Sequence, residues 1–110
     1  MKKVIAIGEK TFEASSSAFT LFAYKNETGR NLLDDLVEIE NLFGDSVDAS
    51  VISPFLENIF KLAYVMAKEA DSKTPDFDSW LKQFDGILND PEWIKEVVLL
   101  AASTFRWENN

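Results

Sequence analysis

Two neighbouring stretches decide how this chain folds: Leu62-Ala-Tyr-Val-Met-Ala-Lys-Glu-Ala-Asp71 and Thr74-Pro-Asp-Phe-Asp-Ser-Trp-Leu81. The first carries large apolar side chains at helical spacing and contains no Gly or Pro, so it predicts a buried helix. The second opens with residues that begin helices and continues with aromatic side chains, so it predicts another helix after a sharp turn. Neither stretch gathers groups that react, and this favours packing or binding over catalysis.

Outward from these stretches, capping residues and apolar spacing predict about five helices. With their capping residues they cover about 15–29, 31–44, 53–70, 74–86 and 89–107. The first helix has an apolar stripe that includes Phe19 and Phe22 and a second stripe that includes Tyr24. A helix that is apolar on two sides is usually enclosed between other elements, so we expect both stripes of this helix to be covered.

Two β-prone segments precede the helices and flank Gly8-Glu9-Lys10, where a glycine at the start of a tight turn predicts a hairpin. A ribbon of two strands is marginal alone, so it must pack on the helices or on a neighbouring subunit. The sequence therefore predicts a mainly α protein of the α+β class, with about five helices and a small N-terminal β-hairpin. We expect one compact domain over 1–110, with the hairpin at about 3–14 and the helical body at about 16–107.

Composition narrows the range of functions. The 110 residues include no Cys and no His, which removes thiolate sites, the commonest general base and the commonest metal ligand. We therefore expect no enzyme activity, no metal and no cofactor. A net charge of −8, with only Lys2 and Lys3 adjacent among the basic residues, argues against nucleic-acid binding. No apolar run approaches the length that spans a bilayer, so we expect no membrane partner and a cytoplasmic location.

Two blocks of the sequence resemble a known family. The block Phe19-Thr-Leu-Phe-Ala-Tyr-Lys-Asn-Glu-Thr-Gly-Arg-Asn-Leu-Leu-Asp-Asp-Leu36 is similar to the signature of tail assembly chaperones from long-tailed phages and prophages of Gram-positive bacteria. In that signature, a helix that ends in a Tyr-basic run and a Gly leads into a Leu-Leu-acidic helix. Leu62–Asp71 and Phe77-Asp-Ser-Trp-Leu81 resemble the second block of the family, and the two blocks cover about half of the chain. Thr28 departs from the pattern, which has a bulky aromatic before the glycine.

The resemblance implies a function in phage tail morphogenesis. It implies a chaperone that binds the long apolar tape measure protein and keeps it soluble until tail tube subunits polymerise around it. Such a chaperone acts in the cytoplasm of the bacterial host and is not part of the mature virion. The tail tube protein and further copies of the chain are additional expected partners, and many relatives also exist in a longer form made by translational frameshifting.

Four residues are candidates for partner contacts because they interrupt polar helix faces. Counting about 100° per residue places Val65 inside the polar face of the third helix and Tyr64 at its edge. Leu99 and Ala102 lie similarly on the fifth helix. Single apolar residues on a surface are common, so the alternative is that these four have no binding role.

A different kind of function remains open on the sequence. The chain is alternatively a small acidic adaptor or inhibitor that masks a basic surface of a partner. Such an adaptor would use five carboxylates, namely Asp34, Asp35, Glu38, Asp45 and Asp48. Its binding would weaken with salt, whereas apolar binding would be nearly insensitive to salt. An enzyme that depends on an unrecognised carboxylate pair is a third alternative.

Overall fold

The chain begins with an antiparallel hairpin in the computed structural model of the protein, which describes residues 1–43 and 47–105. Strand β1 (Lys2–Ile7) pairs with β2 (Lys10–Ser15) in a register that places Ile5 opposite Phe12. Gly8 begins the connecting turn with a φ of 62°, a conformation that costs glycine little. The predicted hairpin is therefore confirmed.

Five helices of five residues or more follow within the described residues, as the sequence predicts. They are α1 (Ala18–Thr28), α2 (Leu32–Glu40), α3 (Leu56–Ala70), α4 (Phe77–Leu81) and α5 (Glu92–Phe105). A short helical turn, Ala49–Ile52, and a 3-10 turn, Ser53–Phe55, lead into α3. The mainly α fold with an N-terminal hairpin is confirmed.

Helix α3 lies at the centre of the hydrophobic core. Its fully buried residues include Ile59, Leu62, Ala63 and Met66. Strand β2 and helix α1 pack on α3, while β1 and α2 pack on α5. The hairpin therefore packs on helices of its own chain. This packing supplies the stability that an isolated two-stranded ribbon lacks.

The caps that the sequence predicts form at both ends of α1. The Ser17 side chain accepts a hydrogen bond from the Phe19 amide at 3.1 Å, and the Thr20 hydroxyl accepts one from the Ser17 amide at 3.0 Å. Gly29 closes the helix in the left-handed conformation, where its amide donates to the Lys25 carbonyl at 2.7 Å. These contacts satisfy amides and a carbonyl that would otherwise lack partners at the helix ends.

Helix α2 is shorter than predicted. We expect it to reach Phe43 and stop at Gly44, but it ends at Glu40. The Leu42 amide bonds to the Ile39 carbonyl at 3.0 Å and the Phe43 amide to the Glu40 carbonyl at 3.1 Å, so the chain tightens into three-residue turns. Gly44 lies outside the described residues, as does Trp107, the predicted end of the last helix.

Helix α4 also differs from the prediction, which places it between Thr74 and Gly86. The Thr74 hydroxyl instead donates to the Asp71 carbonyl at 2.7 Å and so completes the turn after α3. Asp76 is the N-cap, because its carboxylate accepts the Ser79 amide at 3.2 Å. The helix therefore spans only five residues and continues as turns toward Gly86.

Substitution by alanine should destabilise the protein more at Gly8 than at Gly29, because the added methyl group has a close neighbour only at Gly8. Gly29→Ala is expected to lower the free energy of unfolding by about 1–2 kcal/mol, because only the left-handed conformation opposes it. At Gly8 a Cβ would also lie 2.9 Å from the Asp85 carbonyl oxygen, so Gly8→Ala should cost more. Urea unfolding of both variants measures the difference. Equal losses would show that the Gly8 turn yields without strain.

Candidate functional site

The four candidate contact residues differ in exposure from what their helix faces predict. Val65 is 6% exposed, Tyr64 4% and Ala102 7%, whereas Leu99 is 39% exposed. The expectation of an exposed position is therefore wrong for three of the four. It fails because α1 and β2 both cover α3, which narrows the polar face of α3, and because α2 covers one flank of α5. Their assignment to a binding surface stays a prediction.

The structure does not bring the four residues together, but each of them borders a groove. Tyr64 and Val65 line a groove between α1 and α3. Leu99 lines a groove between α5 and the first residues of the hairpin, and Ala102 lines one between α5 and α2. The candidate residues therefore border three separate grooves.

The groove between α1 and α3, which we call the α1–α3 groove, has an apolar floor and a polar rim. Its volume is about 380 Å³. The lining consists of Phe19, Ala23, Asn26, Glu27, Tyr64, Val65, Lys68, Glu69 and Ser72. This arrangement suits an apolar segment that carries polar groups along its edges.

Tyr64 is a fixed part of the floor. Its hydroxyl donates to the Pro75 carbonyl at 2.9 Å, and its ring lies 5.4 Å from that of Phe77 and 5.5 Å from that of Trp80. Burial raises the pKa of Tyr64, and the charges of Glu27 and Asp76 raise it further. The side chain is therefore neutral at physiological pH and lines the groove.

Two phenylalanines of α1, of which Phe19 lines the groove, are the most exposed aromatic residues of the described helices. Phe19 is 61% exposed and Phe22 62%, and we call this pair the α1 stripe. The expectation that α1 is covered on both sides is wrong, because α1 docks only through the face that carries Thr20 and Tyr24. The sequence carries no signal of this outcome, because Phe19 and Phe22 have the helical spacing of a core face.

Hydrogen bonds and one ion pair hold α1 in place. The Thr20 hydroxyl donates to the Glu69 carboxylate at 2.9 Å. The Tyr24 hydroxyl donates to the Asp35 carboxylate at 2.6 Å, and Arg30 donates to both oxygens of the same carboxylate, with its shortest contacts at 2.8 Å. The helix that carries the α1 stripe is therefore locked to both α2 and α3.

The pKa values in this network favour one charge state. Burial and the hydrogen bond to Asp35 raise the pKa of Tyr24. Burial alone would raise the pKa of Asp35, but the hydrogen bonds from Arg30 and Tyr24 and the Arg30 charge outweigh it and lower the pKa. The network therefore holds a carboxylate, a guanidinium and a neutral phenol.

The acidic residues of the adaptor alternative do not form one surface. Asp35 is buried and bound by Arg30 and Tyr24, so it is not available to a partner. Asp48 caps the turn that leads into α3, where its carboxylate accepts the Ser50 amide at 3.0 Å. Asp34 and Glu38 are exposed on α2, and Asp45 lies outside the described residues.

Neither a metal site nor a membrane-spanning helix occurs within residues 1–43 and 47–105. These residues contain no group of three Asp, Glu, His or Cys side chains placed to hold a metal ion. None of their helices is long and apolar enough to cross a membrane. The α1 stripe and the α1–α3 groove are therefore the features from which we argue function.

Comparison with known proteins gives no further assignment. No protein-family model matches this chain. No curated protein and no solved structure matches it either. The resemblance to tail assembly chaperones therefore depends on the two sequence blocks, and the functional argument depends on the geometry described above.

Proposed function

We propose that this protein is a non-enzymatic tail assembly chaperone that binds apolar helical segments of a phage or prophage tape measure protein. The observation that carries the proposal is the α1 stripe, whose two phenylalanines are 61% and 62% exposed and whose member Phe19 lines the α1–α3 groove. Large contiguous apolar patches are rare on monomeric soluble proteins and often mark a binding site. We infer that the partner is the tape measure protein from the two sequence blocks that resemble the chaperone family.

The stripe and the groove suit a helix as the bound segment. Phe19 and Phe22 lie three residues apart, so they are neighbours on α1 and form one ridge. A partner helix that packs along this ridge can also place a side chain over Ala23 and Val65 in the groove. Burying the remaining surface of each phenylalanine ring contributes about 1–2 kcal/mol.

The hydrogen bonds that attach α1 to α2 and α3 keep the rings of Phe19 and Phe22 exposed. The hydrogen bond from Thr20 to Glu69 and the network around Asp35 prevent α1 from rotating to bury its phenylalanines. A rotation would break these contacts and leave buried polar groups without partners, at about 1–3 kcal/mol each. The chain therefore keeps an apolar surface ready for binding and loses little conformational freedom when it binds.

The net charge of −8 gives the bound complex its solubility. In this proposal the chaperone keeps the tape measure protein dispersed in the host cytoplasm and leaves it when tail tube subunits polymerise. The acidic adaptor is less well supported, because Asp35 lies in the interior and Asp48 serves as a cap.

Co-expression with the tape measure protein from the same genome tests the proposal. We expect soluble tape measure protein to co-purify with the chain, with similar recovery at low and at high salt. Replacing both rings, as Phe19→Ser with Phe22→Ser, should reduce recovery on the order of tenfold or more, because the apolar contact is lost. Pull-down followed by quantification of the tape measure protein provides the measurement.

Val4→Thr is the matched control, because Val4 is also 61% exposed but lies on the hairpin. Circular dichroism and urea unfolding should show that the double variant and the control both keep the fold. Insoluble tape measure protein with no recovery in the presence of the unmodified chain would contradict the proposal. Recovery that disappears at high salt would favour the acidic adaptor instead.

A further inference from the structure

A second groove lies between α3 and α4, and we call it the α3–α4 groove. Its volume is about 650 Å³. The apolar part of its lining consists of Leu56 and Phe60 from α3 and of Phe77 and Leu81 from α4. Apolar surface beside α3 therefore extends beyond the α1–α3 groove.

The two grooves adjoin each other near the end of α1. Glu27, the next-to-last residue of α1, lines both of them. Tyr64 lines the α1–α3 groove, and its ring lies 5.4 Å from that of Phe77, which lines the α3–α4 groove. The two grooves therefore form one continuous depression, which we call the extended groove.

Helix α3 contributes to the extended groove along nearly its whole length. Its lining residues come in pairs that recur every four positions, namely Leu56 and Glu57, Phe60 and Lys61, Tyr64 and Val65, and Lys68 and Glu69. Residues four apart lie on the same face of a helix. At a rise of 1.5 Å per residue, the stretch from Glu57 to Glu69 covers about 18 Å. A bound helix that matches this length has about 12 residues.

The walls of the extended groove suit a helix better than an extended strand. The residues that line it belong to α1, α3 and α4, apart from Ser72 in the turn after α3. Backbone groups in the interior of a helix are already paired, so these walls offer an extended strand no sheet edge to join. An amphipathic helix needs only an apolar surface for its apolar face.

The charged residues of the extended groove are mainly acidic. They are Glu27, Glu57, Glu69 and Asp78, with Lys61 and Lys68 as the basic members. The Lys61 ammonium lies 3.2 Å from the Glu57 carboxylate, and that of Lys68 lies 6.0 Å from the centre of the Tyr64 ring. Both lysines are therefore engaged within the groove, and the charge that faces a partner is negative.

Two of the carboxylates stand on different walls of the extended groove. Glu27 on α1 and Asp78 on α4 are both exposed. Within residues 1–43 and 47–105, neither of them forms an ion pair. The extended groove therefore combines apolar surface with acidic groups at its edges, and it is complementary to an apolar face that has cations beside it.

We propose, building on the proposed chaperone function, that the extended groove binds a single amphipathic helix of the tape measure protein with Lys or Arg beside its apolar face. The long apolar stems of Lys and Arg can cover the groove walls while their charged ends reach Glu27 and Asp78. Exposed ion pairs contribute little each, so the apolar contact provides most of the affinity. The charges decide which segments bind, since a helix with acidic flanks would meet like charges.

Cross-linking from both ends of the extended groove tests whether one helix fills it. The cross-linking amino acid p-benzoylphenylalanine is placed at Phe19 in one variant and at Glu57 in another, and each full chain is co-expressed with the tape measure protein. Mass spectrometry then locates the cross-linked residues. We expect both variants to reach one segment, at sites about 9–15 residues apart, whereas an extended chain would place them about 5 residues apart.

The outcomes separate this proposal from the chaperone function. A cross-link from position 19 with none from position 57, sites in unrelated segments, or the shorter spacing would overturn the single bound helix and leave the chaperone function standing. The absence of cross-links from both positions would contradict the chaperone function as well.

Charge reversal tests the basic residues of the bound helix. Glu27→Lys with Asp78→Lys should weaken binding of a synthetic peptide with the cross-linked tape measure sequence about five- to tenfold, measured by fluorescence anisotropy. Asp34→Lys with Glu38→Lys is the matched control, because it shifts the net charge equally, from −8 to −4, at exposed positions of α2. The control should change the affinity less than twofold. Equal weakening by both variants, or none by the first, would overturn the selection of basic helices by Glu27 and Asp78.

Discussion

Replacement of Trp80 by alanine is expected to lower the free energy of unfolding by about 3–5 kcal/mol, the range for truncating a buried large aromatic residue. Trp80 is 3% exposed and lies at the centre of an aromatic cluster. Its ring lies 4.9 Å from that of Phe84, 5.4 Å from that of Phe12 and 5.5 Å from that of Tyr64. The variant would lose the contacts that join α4, the hairpin and α3.

Phe77→Ala is the matched control, because Phe77 belongs to the same cluster but is only partly buried. Its ring lies farther from Trp80, at 6.5 Å, and we expect a clearly smaller loss of stability. Urea unfolding monitored by circular dichroism measures both variants. If Trp80→Ala costs no more than Phe77→Ala, the cluster does not hold the hairpin to the helices.

Replacement of Asp35 by alanine is expected to cost about 2–3 kcal/mol, because it removes the acceptor of two partners at once. The Tyr24 hydroxyl, which is buried, would lose its 2.6 Å hydrogen bond, and Arg30 would lose its ion pair. Arg30 is half exposed and water can solvate it, so most of the cost comes from Tyr24. Asp34→Ala removes a neighbouring exposed carboxylate and should cost less than about 1 kcal/mol.

The cost of Asp35→Ala should also depend on pH. Because the folded protein lowers the pKa of Asp35, the ionised carboxylate stabilises the fold above its unfolded pKa of about 3.9. That stabilisation is lost as the pH falls through the lower pKa of the folded state. Unfolding measured from neutral pH downward should therefore show the stability difference from the unmodified chain shrinking in acid. A constant difference would show that Asp35 is not held as a carboxylate.

The sequence predicts elements whose signals are local. Ser17 and Gly29 bound α1 as their types predict, because side-chain and backbone hydrogen bonds at helix ends involve residues only a few positions apart. The apolar spacing of Leu62–Asp71 likewise predicts the buried helix α3, in which Leu62, Ala63 and Met66 are fully buried.

The surfaces of the protein are less predictable because they depend on which elements become neighbours. Val65 lies on a face that helical spacing makes polar, yet α1 covers it. Phe19 and Phe22 lie on a face that looks like core, yet no other described element covers it. Helical periodicity reports how side chains are distributed around one helix, and it contains no information about where the next helix packs.

The role of Asp35 was also hidden in the sequence. A carboxylate in the first turn of a helix normally faces solvent and favours the helix dipole, as Asp34 does. Asp35 instead points inward because Tyr24 and Arg30, on either side of the Gly29 turn, both reach it. The first of the two blocks that resemble the chaperone family, Phe19–Leu36, thus includes the corner between α1 and α2.

Photo-cross-linking from the α1 stripe tests whether the tape measure protein binds at Phe19 and Phe22. The cross-linking amino acid p-benzoylphenylalanine is placed at Phe22 in one variant and at Val4 in another, two positions with exposures of 62% and 61%, and each is co-expressed with the tape measure protein. We expect a cross-linked product with the tape measure protein from position 22 and little or none from position 4. Equal products from both positions, or a product from position 4 alone, would contradict binding at the α1 stripe.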